Sequence, residues 1–181
     1  MTSKTDAPQS QSKRRERTRA ALALGGNVGD VQRTFKRALA RLERDPDITV
    51  LRRSDWFETD PVGGPVGQPK FWNGAVTLEV CCSPRELLER CQAIETHFGR
   101  DRGAEEADGP RPLDLDLLLF GEVRIDEPDL QVPHPRLTER RFVLEPLVQV
   151  AADWVVPAAG GDSANQSVQA LWQVMLEGQT H

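Results

Sequence analysis

Apolar and polar positions along the chain switch between two periods. The run at 20–24 is apolar throughout and closes on Gly25-Gly26-Asn27-Val28-Gly29, which predicts a short buried strand and then a tight turn. Val31, Phe35, Ala38, Leu39 and Leu42 recur at helical spacing, so Asp30 is placed to cap a helix over 31–43. Strands are predicted over 48–57 and 71–82, separated by a loop at 59–70 crowded with Gly and Pro. Ser83-Pro84-Arg85-Glu86 is a helix start: Ser caps, Pro fits the first turn, and Glu closes a capping box. Leu87, Leu88, Cys91, Ile94 and Phe98 form the buried face of that helix, and Gly99 ends it. The segment 100–112 has no apolar period and reads as a solvated loop. A strand over 113–120, a short helix over 142–150, a linker over 157–166 and a last amphipathic helix on Val168, Leu171, Trp172, Met175 and Leu176 complete the pattern.

Strand, helix and strand thus occur twice in succession, followed by a C-terminal extension. That order predicts an α+β sandwich, an antiparallel sheet with both long helices on one face. The predicted organisation is a disordered tail over 1–19, one domain over 20–157, and a linker with a C-terminal helix over 158–181.

Composition narrows the function classes. The chain has 181 residues and a formal charge of −5, enough for one domain with a sizeable core. The acidic balance argues against a nucleic-acid partner held by bulk charge, and no stretch approaches a membrane span. Cys81, Cys82 and Cys91 are odd in number and include no C-x-x-C, so neither a disulfide framework nor a zinc site is expected, and a cytoplasmic location fits. The basic knot Lys13-Arg14-Arg15-Glu16-Arg17 reads as solvated tail.

The strongest chemical signal is Gly109-Pro110-Arg111-Pro112-Leu113-Asp114-Leu115-Asp116-Leu117. Residues i and i+2 of a strand share a face, so Asp114 and Asp116 point one way and Leu113, Leu115 and Leu117 the other. Two adjacent carboxylates repel, and a hard cation that also carries substrate phosphates would offset them; Mg²⁺ is the natural choice. Arg100, Arg102, Arg111, Arg136, Arg140 and Arg141 bracket the pair, and guanidiniums bind phosphate oxygens in a fork. The bland alternative is an acidic strand face paired to surface cations. The glycines at 25–29 lack nucleotide-loop spacing and read as a strand-to-helix turn. His134 is set between Pro133 and Pro135; three dispersed histidines make no zinc site.

Taken together, Gly-Pro-Arg-x-Leu-Asp-Leu-Asp and the downstream Val132-Pro133-His134-Pro135-Arg136 resemble the 6-hydroxymethyl-7,8-dihydropterin pyrophosphokinase family of folate biosynthesis. Leu24-Gly25-Gly26-Asn27, Phe57-Glu58-Thr59-Asp60-Pro61-Val62-Gly63, Gln68-Pro69-x-Phe71-x-Asn73 and Gln92-x-x-Glu95-x-x-x-Gly99-Arg100 add to the likeness, which runs over about 20–157. The resemblance implies a ferredoxin-like fold and Mg²⁺-dependent transfer of diphosphate from ATP to the pterin hydroxymethyl group, with AMP released. It implies that Asp114 and Asp116 hold two Mg²⁺ ions and that Arg100 and Arg111 neutralise the phosphates. Gln92, Glu95, Arg102, His134 and Arg140 would serve ATP, and Thr59, Val62, Phe71, Asn73 and Phe142 the pterin. The implied partners are these small molecules alone, and the chain is expected to act as a monomer.

The chain departs from the family in the loop before Gly109. Ala107 and Asp108 stand where a basic residue and an aromatic are usual, and Glu105-Glu106 make the loop acidic, which implies a looser lid and a slower enzyme. Val62 and Phe71 replace the usual Leu and Tyr. Two other readings are a weakly active or inactive relative that still binds nucleotide or pterin, and a ferredoxin-like interaction module.

Overall fold

The apolar run at 20–24 becomes the middle of a sheet. A computed structural model describes residues 16–103, 108–158 and 164–178. Its elements are β1 (Thr18–Gly26), α1 (Val31–Leu42), β2 (Ile48–Arg53), β3 (Phe57–Thr59), β4 (Phe71–Val80), α2 (Pro84–His97), β5 (Asp114–Phe120), β6 (Ile125–Glu127), β7 (Leu130–Val132), α3 (Arg141–Ala151), β8 (Val155–Val156), β9 (Gln166–Ser167) and α4 (Val168–Gly178). The main sheet is antiparallel in the order β2-β4-β1-β5, with β3 also paired to β4.

Two apolar layers flank this sheet. Leu22 and Leu24 of β1, Val76 and Leu78 of β4, and Leu113, Leu115 and Leu117 pack under Phe35 and Leu39 of α1 and Leu87 and Cys91 of α2. Ala21, Ala75, Leu118 and Leu119 pack under Val143, Leu144 and Leu147 of α3, which α4 backs with Leu171, Trp172 and Met175. The two long helices therefore share one face as predicted, while the C-terminal extension covers part of the other. A bulge explains the unbroken apolar run at the end of β5. Leu22 pairs with Leu117 and Ala21 with Leu119, so Leu118 is the extra residue and strict alternation ends there.

The caps behave as their sequence suggests. Asp30 Oδ1 accepts from the Arg33 N–H at 3.1 Å. Ser83 Oγ accepts from the Glu86 N–H at 3.3 Å, and Glu86 Oε2 accepts from the Ser83 N–H at 2.7 Å.

Three expectations are corrected. The strand predicted over 48–57 is two strands, because Trp56 lies against Gly74, where an added Cβ would sit 2.8 Å from Trp56 Cδ1, and meets Phe35 edge-on at 5.4 Å. The proline-punctuated stretch after β5 holds the β6–β7 hairpin, and the predicted linker is bracketed by the paired strands β8 and β9. Thr18 and Arg19, assigned to the tail, begin β1; residues 1–15 of the tail lie outside the described residues, as do Glu105, Glu106 and Ala107. Among the described residues, no helix is long and apolar enough to cross a membrane.

Candidate active site

The register of β4, β1 and β5 builds a floor. Gly25 of β1 stands opposite Asn73 on one side and Asp114 on the other; Ala23 stands between Ala75 and Asp116. Residues directly opposite share a face, so Asn73, Asp114 and Asp116 project from one surface with small residues between them. A Cβ on Gly25 would lie 3.6 Å from the Asp114 Cβ and 3.9 Å from Asn73 Oδ1. This is the face that α3 covers farther along the sheet, so the polar end is what remains open.

Asp114 is not the solvent-facing carboxylate that spacing suggests. It is 8% exposed. Arg111 Nε donates to its Oδ2 at 2.9 Å, and Arg100 Nη1 pairs with its Oδ1. Burial alone would push this carboxyl up, but Arg111 and Arg100 outweigh it and hold it below the usual carboxylate range. Asp116 is half-buried and, among the described residues, accepts no hydrogen bond and pairs with no cation. Burial first, then the neighbouring Asp114 and Glu95, push its carboxyl up to about 7.

Glu95 lies beneath the cleft rather than lining it, 1% exposed. Its Oε1 accepts from Arg100 Nη1 at 2.7 Å and from the Leu115 N–H at 2.7 Å; its Oε2 accepts from Arg102 Nε at 3.0 Å and Nη2 at 2.6 Å. Burial raises this carboxyl against the pull of the Leu115 N–H and Arg100. Gln92 sits half-buried one turn back on α2.

Thr59, Val62, Phe71, Asn73 and Phe142 line one narrow cavity of about 40 Å³ together with Asp60, Asp108, Arg111 and Arg140. Asn73 Nδ2 donates to Thr59 Oγ1 at 2.8 Å, which fixes both groups in the wall. The Arg111 guanidinium lies 5.0 Å over the Phe71 ring and that of Arg140 5.4 Å over Phe142. The cavity therefore contains two aromatic faces, an amide, a hydroxyl and two guanidiniums.

His134 stands apart from this cavity. It lines a second one of about 610 Å³ formed with the β6–β7 hairpin and the C-terminal extension. Its Nδ1 accepts from the Arg136 N–H at 3.1 Å, so a neutral ring carries its proton on Nε2. Burial and then Arg140 hold the imidazole below its ordinary value.

Two residues that sequence reasoning gave no role join the loops. Asn27 N–H donates to the Arg111 carbonyl at 2.9 Å, and Asn27 Oδ1 accepts from the Arg111 N–H at 2.8 Å. Its Nδ2 donates to Pro69 O at 3.1 Å and Gln68 Oε1 at 3.2 Å, while Gln68 Nε2 donates to Gly63 O at 3.0 Å and Asp108 O at 3.2 Å. The turn after β1, the loop before β4 and the loop before β5 are tied at one point. Asp108, at φ 55°, has its carboxylate 3.6 Å from Arg140.

This arrangement defines a class: an antiparallel-sheet protein with a carboxylate left unpaired among the described residues, a ring of arginines and an aromatic slot, suited to bringing a polyphosphate to a flat heterocycle. Residues 21–152 match the family described as 7,8-dihydro-6-hydroxymethylpterin-pyrophosphokinase, and the chain belongs to that family. It is 45% identical over 141 residues to the 2-amino-4-hydroxy-6-hydroxymethyldihydropteridine pyrophosphokinase of Synechocystis, covering 78% of this chain and 70% of that protein. It is 40% identical over 154 residues to the protein of the same name from Bacillus subtilis, covering 85% and 90%. Among solved structures it is similar to wild-type Plasmodium falciparum HPPK-DHPS crystallised with pterin and p-hydroxybenzoate, at a TM-score of 0.66 and 13% identity. That likeness covers 93% of this chain but only 45% of the Plasmodium chain, and shows the fold alone.

Proposed function

We propose that the chain transfers the terminal diphosphate of ATP to the hydroxymethyl group of 6-hydroxymethyl-7,8-dihydropterin, releasing AMP, as a step of folate biosynthesis. The observation that carries this is the juxtaposition of the Asp114–Asp116 pair and its arginines with the slot lined by Thr59, Phe71, Asn73 and Phe142. The 40% and 45% identities to pyrophosphokinases support it.

The donor set fits Mg²⁺. Among the described residues no three His, Cys, Asp or Glu side chains gather as metal ligands, but a pair of carboxylates completed by nucleotide phosphates is the way Mg²⁺ is commonly held. Asp116, half-buried and unpaired among the described residues, is a ready ligand, and Asp114 is kept ionised beside it. Asp114 and Asp116 would hold two such ions. When bound, the metal neutralises phosphate charge and aligns the donor for in-line displacement. Arg100 and Arg111, already at Asp114, would turn to the phosphates and balance the charge that develops on them. Arg102, Arg140, His134 through its Nε2–H, and Gln92 would bind the rest of the nucleotide.

Asn73 and Thr59 would bind the polar edge of the pterin, and Phe71 and Phe142 would stack on its faces, with Val62 at the rim. Typical ligand sites hold roughly 300–1,000 Å³, so a slot of about 40 Å³ must open. Moving the two guanidiniums off the phenylalanine rings and onto phosphate would do this. Catalysis is then mainly positioning and charge stabilisation, with little demand for a protein nucleophile.

We place this activity on residues 20–157, with the tail before them and the segment 158–181 as additions, in a monomer acting in the cytoplasm. The strand order and the two crossover helices on one face support a ferredoxin-like frame. Incubating the full chain with ATP, Mg²⁺ and hydroxymethyl-dihydropterin tests the reading. AMP and pterin diphosphate should appear in equal amounts, and only with all three present. Product ADP, or AMP formed without pterin, would refute it.

A further inference from the structure

Glu95 is the most occupied side chain in the site. A carboxylate offers about four acceptor positions. All four go to the protein: two at Oε1, from Arg100 and the Leu115 N–H, and two at Oε2, from the Arg102 fork. At 1% exposure it has no face toward a ligand. The three partners come from separate places. Arg100 and Arg102 begin the loop after α2, and Leu115 is the strand residue between Asp114 and Asp116. One buried group on α2 therefore fixes the distance between two guanidiniums and the strand that carries both metal-binding carboxylates.

Building on the function proposed above, we propose that Glu95 is a positioning residue. It holds Arg102 and Arg100 at the spacing from β5 that the nucleotide requires and touches no substrate itself. The argument is geometric. Arg102 is otherwise half in solvent, its side chain 49% exposed, and a long exposed side chain samples many rotamers unless something pins it. A bidentate contact with a buried carboxylate is such a pin. Arg100 has Asp114 as a second anchor, so the arginine that depends most on Glu95 is Arg102.

The test is a double-mutant cycle in the full chain. It is read as kcat/KM for ATP by AMP release, and as the Kd of the non-hydrolysable analogue AMPCPP with Mg²⁺ by calorimetry. Glu95→Gln keeps the volume, and its amide oxygen can still accept from Leu115 and Arg100, but its NH₂ meets Arg102 donor to donor. Glu95→Gln should lower kcat/KM for ATP by about 10- to 100-fold, as loss of supporting contacts behind ligands commonly does. Arg102→Ala should cost a similar factor, and the double variant no more than the larger single loss, because both changes remove one interaction. KM for the pterin should stay within about twofold, since the pterin wall shares no bond with Glu95. Glu95→Asp, with the charge kept but drawn back by one methylene, should recover part of the loss. If Glu95→Gln does not fold, judged by circular dichroism, the cycle is run with Glu95→Asp. Losses that multiply, or a Glu95 variant with parental ATP kinetics and AMPCPP affinity, would overturn the role. A parent chain that neither binds AMPCPP nor releases AMP would refute the function itself, a separate result from failure of the cycle, and the role of Glu95 would fall with it.

Discussion

Replacing Asp116 with Asn should abolish turnover and, without metal, stabilise the protein. The Asp116 carboxyl stands half-buried beside Asp114 and Glu95 with no cation paired to it among the described residues, and its pKa is pushed up to about 7. The linkage sign follows. A group whose folded pKa exceeds its unfolded value adds stability that is fully present below the unfolded pKa, near 4, and is lost as pH rises through the folded one, near 7. At pH 8 the metal-free chain therefore carries the whole cost of holding Asp116 charged. A rise from the ordinary 3.8 to about 7 corresponds to about 4 kcal/mol for a fully dry site. Water reaches a half-buried carboxylate, so about 1–2 kcal/mol is the realistic part. For a chain of 181 residues that is an increase of roughly 3–6 °C in Tm for Asp116→Asn at pH 8 in chelator. At pH 5.5 the folded parent is mostly protonated at this position while the unfolded chain is still charged, so the gap should narrow, closing fully only below the unfolded value near 4. Thermal unfolding at both pH values, with AMP release on the same preparations, is the assay. A variant less stable than the parent at pH 8, or a gap as large at pH 5.5 as at pH 8, would show that the carboxylates do not oppose each other as described.

The same pKa sets a metal prediction. Mg²⁺ must displace a proton from Asp116, so its affinity in the AMPCPP complex, corrected for Mg²⁺ binding to free nucleotide, should fall about tenfold from pH 8 to pH 6; calorimetry across that range decides. Asn27→Ala should lower kcat/KM by about 10- to 100-fold while retaining the fold by circular dichroism, because it unties Arg111 from the loops at Gln68 and Pro69. Gly64→Ala should destabilise by about 1–3 kcal/mol in urea unfolding, since φ is +73° and the new Cβ would lie 2.3 Å from Asp108 O. Phe142→Ala should raise KM for the pterin and leave KM for ATP near parental, because the ring lines the narrow cavity; equal changes in both would reject the stacking role.

The helices were legible because each carries its own instructions. A stripe at 3.6 spacing buries Phe35, Leu39 and Leu42, and caps at Asp30 and Ser83 set the starts. The shared face of Asp114 and Asp116 follows from the period of a strand. How deep that face lies does not: a period of two names a side and says nothing of the arginines that close over it. The break at Trp56 depends on Gly74, eighteen positions on, and the β6–β7 hairpin hides among prolines. The loop clamp was least visible. Asn27 meets Arg111 across 84 positions and Gln68 across 41, and no local pattern announces a hydrogen bond of that range. The residues the family likeness implied for the pterin gather in one cavity, whereas Glu95 and His134 stand where only the fold could put them.

Fold and site are linked through one sheet surface with two uses. Where Ala21, Ala75, Leu118 and Leu119 project, α3 covers it and the layer is apolar core. A few residues on, the same register brings up Asn73, Gly25, Asp114 and Asp116, and there the guanidiniums of Arg100 and Arg111 lie against Asp114. Gly25 and Ala23 matter by being small: larger side chains in the middle of the sheet would fill the floor on which the carboxylates stand. The charges nearby, Glu95, Asp114 and Asp116 against Arg100, Arg102 and Arg111, balance in number but not in placement. Glu95 and Asp114 take up the arginines, and Asp116 is left over. A stable interior would avoid that remainder, and under the proposed function it has a use, because the charge left unpaired among the described residues is the charge that binding a cation with phosphate would neutralise.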